Sequence, residues 1–208
     1  MNKIFKMGIQ HYYSKQINSP LDLKKISQKI SGTDFDFYTA SGIFSKDRID
    51  KGTLLLAENM IVSKISNVLD IGCGIGILGI AAAKLFDANV VMTEINKRAV
   101  MLAKMNVKLN NLKAEVYQGN LYGPLIKNNL ENHFDVILSN PPQSAGKEIC
   151  FELIEQSKNY LKNNGSLQIV ARHNKGGKTL SSKMQDIFGN LKVIAKKSGY
   201  WVYISIKE

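Results

Sequence analysis

Ser139-Asn140-Pro141-Pro142-Gln143 follows directly on the apolar run Phe134-Asp135-Val136-Ile137-Leu138. Proline has no amide proton and a fixed φ, so two in succession end strand pairing and hold a rigid loop. Such a loop offers a set of acceptors, the Asn140 side-chain oxygen and the backbone carbonyls of the prolines. An exocyclic amine conjugated to a base ring is a poor nucleophile. Two acceptors holding its N–H groups orient its lone pair toward an electrophilic methyl group and stabilise the positive charge that develops on nitrogen. That chemistry needs no general base of unusual pKa. Asn140, Pro141 and Pro142 are the expected catalytic residues.

A second constellation lies upstream, in Val68-Leu69-Asp70-Ile71-Gly72-Cys73-Gly74-Ile75-Gly76-Ile77-Leu78-Gly79. Glycines after a strand let the backbone turn sharply and approach a ligand, and the following helix presents its N-terminal amides. The pattern Gly74, Gly76, Gly79 also fits a dinucleotide fingerprint. Asp70 argues against that reading, because a carboxylate beside the turn repels a pyrophosphate and attracts a cationic sulfonium or ammonium. Glu94 ends the next apolar run and is placed to accept both hydroxyls of a ribose. Asn120, in Gln118-Gly119-Asn120-Leu121, is placed to bond an adenine edge, with Ile95 and Leu121 flanking the ring. The expected cofactor contacts are therefore Asp70, Gly72, Cys73, Gly74, Gly76, Glu94, Ile95, Asn120, Leu121 and Asn140.

These residues need a scaffold that brings strand ends to one edge. Short β-rich runs alternate with helical patterns through the centre of the chain, which is the signature of βαβ units around a parallel sheet. Strands are expected at Asn67–Ile71, Ala88–Thr93, Ala114–Gln118, Phe134–Ser139, Ser166–Ala171 after the turn Asn163-Asn164-Gly165, Leu191–Lys196 and Tyr200–Ile206. Helices are expected at Ile77–Phe86, Lys97–Asn111, Lys147–Leu161 and Leu180–Phe188. The short Lys197-Ser198-Gly199 connection forces the last two strands to be antiparallel, since parallel neighbours need a long crossover. The expectation is an α/β, doubly wound, mostly parallel seven-stranded sheet with an antiparallel last strand. Residues 1–60 do not fit the alternation, although Phe35-Asp36-Phe37-Tyr38 reads as extended and Arg48 to Val62 as helical. They are expected to form an appendage packed on a catalytic domain of residues 61–208.

With 208 residues, 44% hydrophobic and 22% charged, the chain has the composition of a compact globular protein. Its two cysteines, Cys73 and Cys150, lie in separate apolar segments without a CxxC spacing, and no metal site is expected. The absence of a signal-peptide or membrane-spanning run points to the cytoplasm. The net charge of +11 is unevenly spread. Residues 1–31 carry six Lys and one Asp, residues 32–155 carry 12 basic and 14 acidic side chains, and residues 156–208 carry 10 basic and two acidic ones. Two basic ends around a near-neutral middle read as a nucleic-acid footprint, or as solubilising lysines. Arg172, Lys175 and Lys178, around a Gly-Gly turn after the fifth strand, are candidates for phosphate contact. Tyr12 and Tyr13, beside His11 and Lys15, are candidates for an aromatic contact to RNA. His11, His133 and His173 are widely spaced and read as ordinary surface or turn residues.

The glycine turn, Glu94 and Asn140-Pro141-Pro142, with Phe37-Tyr38-Thr39-Ala40-Ser41-Gly42-Ile43-Phe44-Ser45, Asp50-Lys51-Gly52-Thr53 and Lys175-Gly176-Gly177-Lys178, resemble class I S-adenosylmethionine-dependent methyltransferases. The resemblance is to the small-domain group that includes the ribosomal RNA small-subunit guanine-N2 enzymes and their stand-alone archaeal relatives, and it covers nearly the whole chain. It implies S-adenosylmethionine as methyl donor, ribosomal RNA as partner and an exocyclic guanine N2 as acceptor. It also implies that Phe44 and Thr53 contact the methionine end of the cofactor. Many such enzymes carry an aromatic after the second proline to stack on the base, and this chain has Gln143. The alternatives are methylation of a protein glutamine or of a small-molecule nitrogen. In a different class, they are a nucleotide-binding oxidoreductase or a non-catalytic binding module built on the same glycine turn.

Overall fold

The computed structural model describes residues 22–40, 49–141 and 146–208. Its centre is a seven-stranded sheet built from β3 (Asn67–Ile71), β4 (Asn89–Glu94), β5 (Glu115–Gln118), β6 (Phe134–Ser139), β7 (Leu161–Arg172), β8 (Lys192–Lys197) and β9 (Tyr200–Ile206). The strand order is β5-β4-β3-β6-β7-β9-β8. β3 pairs in parallel with β4 and β6, and the parallel set continues to β5 and β7. β9 runs antiparallel to both β7 and β8, as the short Lys197-Ser198-Gly199 connection requires. The doubly wound arrangement and its single reversed strand match the architecture expected from the sequence.

Successive strand residues point to opposite faces and so supply two separate cores. Val136 and Leu138 join one core, with Leu56, Ile80 and Leu102 from α1 (Lys51–Asn59), α2 (Ile77–Phe86) and α3 (Lys97–Leu109). Ile137 joins the other, with Leu125, Ile154 and Met184 from α4 (Gly123–Ile126), α5 (Lys147–Tyr160) and α6 (Lys178–Phe188). Helices thus cover both faces, and the C-terminal ends of β3, β4 and β6 meet at one open edge. No helix among the described residues is long and apolar enough to cross a membrane.

The structure adds a hairpin of β1 (Leu23–Ile30) and β2 (Thr33–Ala40), where the sequence suggested extension only around Phe35 to Tyr38. Ser31 and Gly32 turn it with φ of 47° and 81°, the left-handed pair of a tight hairpin loop. Phe35 and Phe37 are buried beneath it. The fully buried Asn106 of α3 accepts from Tyr38 N (2.6 Å) and donates to Tyr38 O and to Ile75 O, both 3.0 Å. One side chain therefore links the hairpin to the glycine turn.

The turn expected at Asn163-Asn164-Gly165 instead lies inside β7. The pairing of β6 with β7 slips between Phe134↔Leu161 and Val136↔Ser166, while Asn164 N donates to Lys207 O (2.7 Å) and Lys207 N to Gly165 O (2.8 Å). Lateral bonding to the chain beyond β9 keeps the irregular stretch in the sheet. The outermost strand, β8, has a register shift between Val193 and Ala195 and carries Lys192, Lys196 and Lys197, all exposed.

Candidate functional site

The glycine turn connects β3 to α2. Gly72 N and Cys73 N both donate to Thr93 O of β4, at 2.9 and 3.0 Å, which folds the turn over the end of the neighbouring strand. Gly72 and Gly74 have φ of 69° and 57°, and a Cβ built on either would meet nothing within 4 Å. The space beside these two residues is open, and glycine keeps the backbone itself as its wall. Gly79 has the opposite surroundings. A Cβ there would lie 2.7 Å from Met92 Cε and 3.0 Å from Val90 Cγ1, so its lack of a side chain lets α2 sit tightly on β4.

Glu94 closes the turn from β4. Its carboxylate accepts from Gly74 N (3.0 Å) and Asn96 N (2.8 Å), and Gly119 N donates to its backbone oxygen (3.0 Å), drawing the β5 turn alongside. Burial pushes the Glu94 carboxyl above its ordinary value, and the backbone amides of Asn96, Gly74 and Ile95 pull it back. Asn120 is exposed on that adjoining turn, where its backbone oxygen accepts from Gly123 N (2.9 Å), and Ile95 and Leu121 are half-buried beside it. Cys73 is buried, and burial raises its thiol well above the usual range, so it is no thiolate nucleophile.

Asp70 was expected to face a bound cation, but its side chain turns inward. It is 1% exposed, and its carboxylate accepts from Gly79 N at 2.9 Å, tying the first turn of α2 to β3. Burial pushes the carboxyl up to about 7; the Gly79 amide lowers it and the nearby Glu94 charge raises it further. An unfolded aspartate titrates near pH 4, so between about pH 4 and 7 the folded chain binds more protons than the unfolded one. Stability carried by this group is therefore complete at low pH and lost as the pH rises through about 7. The expected loss between pH 5 and pH 8 is roughly 2 to 3 kcal/mol. Urea unfolding at the two values should show this decline, and Asp70→Asn should remove most of it. An unchanged decline in the variant would assign it to other groups.

Asn140 stands where β6 ends, at the same edge. The Ser139 hydroxyl donates to Ile71 O (2.9 Å), locking the end of β6 to the end of β3 beside the glycine turn. The Asn140 amide nitrogen donates to Asp50 Oδ2 (3.1 Å) and to Thr53 Oγ1 (2.9 Å), both at the start of α1. With the nitrogen so engaged, the amide oxygen remains to accept a ligand N–H. Thr53, expected to touch a cofactor, thus contacts Asn140. Asp50 and Tyr200 were not singled out for the site, yet the Tyr200 hydroxyl donates to Asp50 Oδ1 at 3.1 Å. In the sequence Asp50 stands only within the Asp50-Lys51-Gly52-Thr53 motif of the family resemblance, and the structure makes it the N-cap of α1. Pro141 is buried; Pro142, Gln143, Phe44, His11, Tyr12 and Tyr13 lie outside the described residues.

Beside Tyr200 is a basic and aromatic surface. The Arg172 guanidinium lies 5.1 Å from the Tyr200 ring centre, and His173 stacks on Trp201 at 3.5 Å. Lys196 lies 3.9 Å from the Trp201 ring centre. Counting from Arg172 itself to Trp201, seven Lys or Arg residues accompany a single acid, Asp186.

The site combines an open glycine turn, an acid at the end of the adjacent strand and a fixed amide oxygen at the end of the next. This donor and acceptor set fits a nucleoside carrying a cationic group, with an amine brought against Asn140. The sequence profile described as the methyltransferase small domain matches residues 34–204. YbxB of Bacillus subtilis, a protein described as uncharacterized, is 32% identical over 196 residues, covering 93% of this chain and 96% of that one. Ribosomal RNA small subunit methyltransferase C of Haemophilus influenzae is 31% identical over 98% of this chain, which spans 61% of that protein. The chain therefore covers only part of the length of such relatives. The T. thermophilus 16S rRNA N2 G1207 methyltransferase, solved with AdoMet and guanosine, superposes with a TM-score of 0.79 at 24% identity, covering 91% of this chain and 52% of that one.

Proposed function

The chain belongs to the methyltransferase small-domain family of class I S-adenosylmethionine-dependent enzymes, and from that premise we propose that it methylates an exocyclic guanine N2 in ribosomal RNA. The observation that carries the proposal is the Asn140 amide, oriented by Asp50 and Thr53 at the strand edge beside the glycine turn.

When bound, S-adenosylmethionine supplies an electrophilic methyl on a sulfonium. In this reading the open turn at Gly72, Cys73, Gly74 and Gly76 receives the nucleoside portion, and Glu94 accepts its ribose hydroxyls. Asn120 bonds the adenine edge while Ile95 and Leu121 flank the ring. Asp70 acts from beneath by holding α2 on β3. The Asn140 oxygen and the Pro141 carbonyl accept the N–H groups of the guanine amine and aim its lone pair at the methyl. As the amine gains positive charge these acceptors stabilise it, and its proton leaves to solvent, so no protein base is required. In the same reading the described part of residues 1–60, residues 22–40 and 49–60, packs as an appendage on a catalytic domain of residues 61–208 and supplies Asp50 and Thr53 to the site.

The Haemophilus influenzae and T. thermophilus proteins act on ribosomal RNA by their descriptions, and the basic surface beside Tyr200 supports the same substrate class here. The test is transfer of a labelled methyl to total RNA lacking the modification, followed by nucleoside analysis. Labelled N2-methylguanosine is the expected product. Label in protein or in a small molecule, with none in RNA, would overturn the reading.

If Lys175 and Lys178 bind phosphate, their joint replacement by alanine should raise KM for RNA and lower the salt dependence of binding by about 1.5 to 2 in log–log slope. Affinity for S-adenosylhomocysteine should not change. An unaltered slope would remove both lysines from the RNA footprint.

A further inference from the structure

Four donors converge on the Asp50 carboxylate. Gly52 N (2.8 Å), Thr53 N (3.0 Å) and the Asn140 amide nitrogen (3.1 Å) reach Oδ2, and the Tyr200 hydroxyl (3.1 Å) reaches Oδ1. The first two are the ordinary work of a residue that caps a helix, here α1. The other two come from the residue after β6 and from β9, far away in sequence, and capping does not require them. The packing around them is tight: a Cβ on Gly52 would lie 2.6 and 2.7 Å from Tyr200 ring carbons and 2.9 Å from Asp50 Oδ2. Only glycine lets the ring lie against the start of α1.

We propose that Asp50 is a positioning residue that decides which end of the Asn140 amide faces the substrate. A primary amide has nearly the same shape when its oxygen and nitrogen are exchanged, yet one end only accepts and the other only donates. The Thr53 hydroxyl can do either and tolerates both orientations. A carboxylate only accepts, so it holds the nitrogen and repels the oxygen. The amide oxygen is thereby turned to the site, where the proposed reaction needs an acceptor for an amine N–H. Tyr200 fixes the carboxylate in turn, which joins the orientation of Asn140 to the strand next to the basic surface. This role rests on the amine-methylation reading, but the orientation itself can be measured without substrate.

Two substitutions separate positioning from capping. Serine at position 50 remains a good N-cap but is too short to reach Asn140 or Tyr200. Asparagine keeps the cap and the shape. Its oxygen can serve Gly52, Thr53 and Asn140 while its nitrogen donates to the Tyr200 hydroxyl, which accepts as readily as it donates. Asp50→Ser should therefore lower kcat by about 10- to 100-fold, the size of one lost charge-assisted hydrogen bond. KM for RNA, S-adenosylhomocysteine affinity and Tm should stay close to those of the unaltered protein. Asp50→Asn should stay within about fivefold in kcat.

The Asn140 side-chain amide resonances, identified by their absence in Asn140→Asp, report independently of turnover. They should be protected from solvent exchange in the unaltered protein and in Asp50→Asn, and lose that protection in Asp50→Ser. Equal kcat and equal protection in the serine and asparagine variants would reduce Asp50 to a helix cap. If the resonances behave as expected while RNA takes up no methyl, the RNA reading fails and the positioning role stands.

Discussion

Asn140→Ala should lower kcat for methyl transfer by about 10²- to 10³-fold, the range seen when one preorganised polar group is removed from a reacting centre. The affinity for S-adenosylhomocysteine should stay within about threefold, because the glycine turn and Glu94 are untouched. The fold should also survive. Asp50 keeps its bonds from Gly52, Thr53 and Tyr200, and the Ser139 hydroxyl still ties β6 to β3. Single-turnover assays beside calorimetric titration would separate the two effects. A variant with full activity would end the mechanism in which the amide oxygen holds the amine.

Glu94→Ala should have the larger effect on binding, weakening S-adenosylhomocysteine by about 100-fold. In the free protein this carboxylate already accepts from Gly74 N and Asn96 N, and it is only 9% exposed. Its removal leaves two poorly solvated amides without their acceptor and takes away the proposed ribose partner, at about 1–3 kcal/mol for each buried donor left unpaired. Glu94→Gln, which keeps one acceptor oxygen, should fall between at about tenfold. Calorimetry on folded protein, checked by circular dichroism, would measure both. Binding by the alanine variant within threefold of the unaltered chain would remove Glu94 from the cofactor site.

The alternation of strand and helix was legible because buried parallel strands and amphipathic helices differ in length and period. β3, α2, β6 and β9 lie at the residue limits read from the sequence. β1 was not legible: in Leu23–Ile30 only Ile30 is fully buried, so the strand has no apolar face to advertise it and exists through pairing with β2. Asn163-Asn164-Gly165 misled for the opposite reason. Its residues favour a turn locally, and Asn164 does adopt φ of 63°, but bonds to Lys207 hold the segment in the sheet.

The same division runs through the site. Glycine spacing and the residues at strand ends pointed to the turn, Glu94 and Asn140, because chain order alone brings the ends of parallel strands to one edge. Asp50 and Tyr200 could not be found that way, since Asp50 meets Asn140 90 positions away and Tyr200 150 positions away. The inward turn of Asp70 is likewise a tertiary fact. A carboxylate next to a glycine turn looks ligand-facing in sequence, and only the position of the Gly79 amide reveals where it goes.

The irregular outer strand β8 also bears on the solution behaviour of the molecule. An unpaired strand edge invites another copy to add to the sheet, and both a bulge and charged side chains discourage that growth. β8 has both, in the shift between Val193 and Ala195 and in Lys192, Lys196 and Lys197. Neutralising those lysines would leave a strand containing Val193, Ile194 and Ala195 open to self-association. On the proposed RNA reading the same cations would serve twice, matching a polyanion and discouraging growth at this edge.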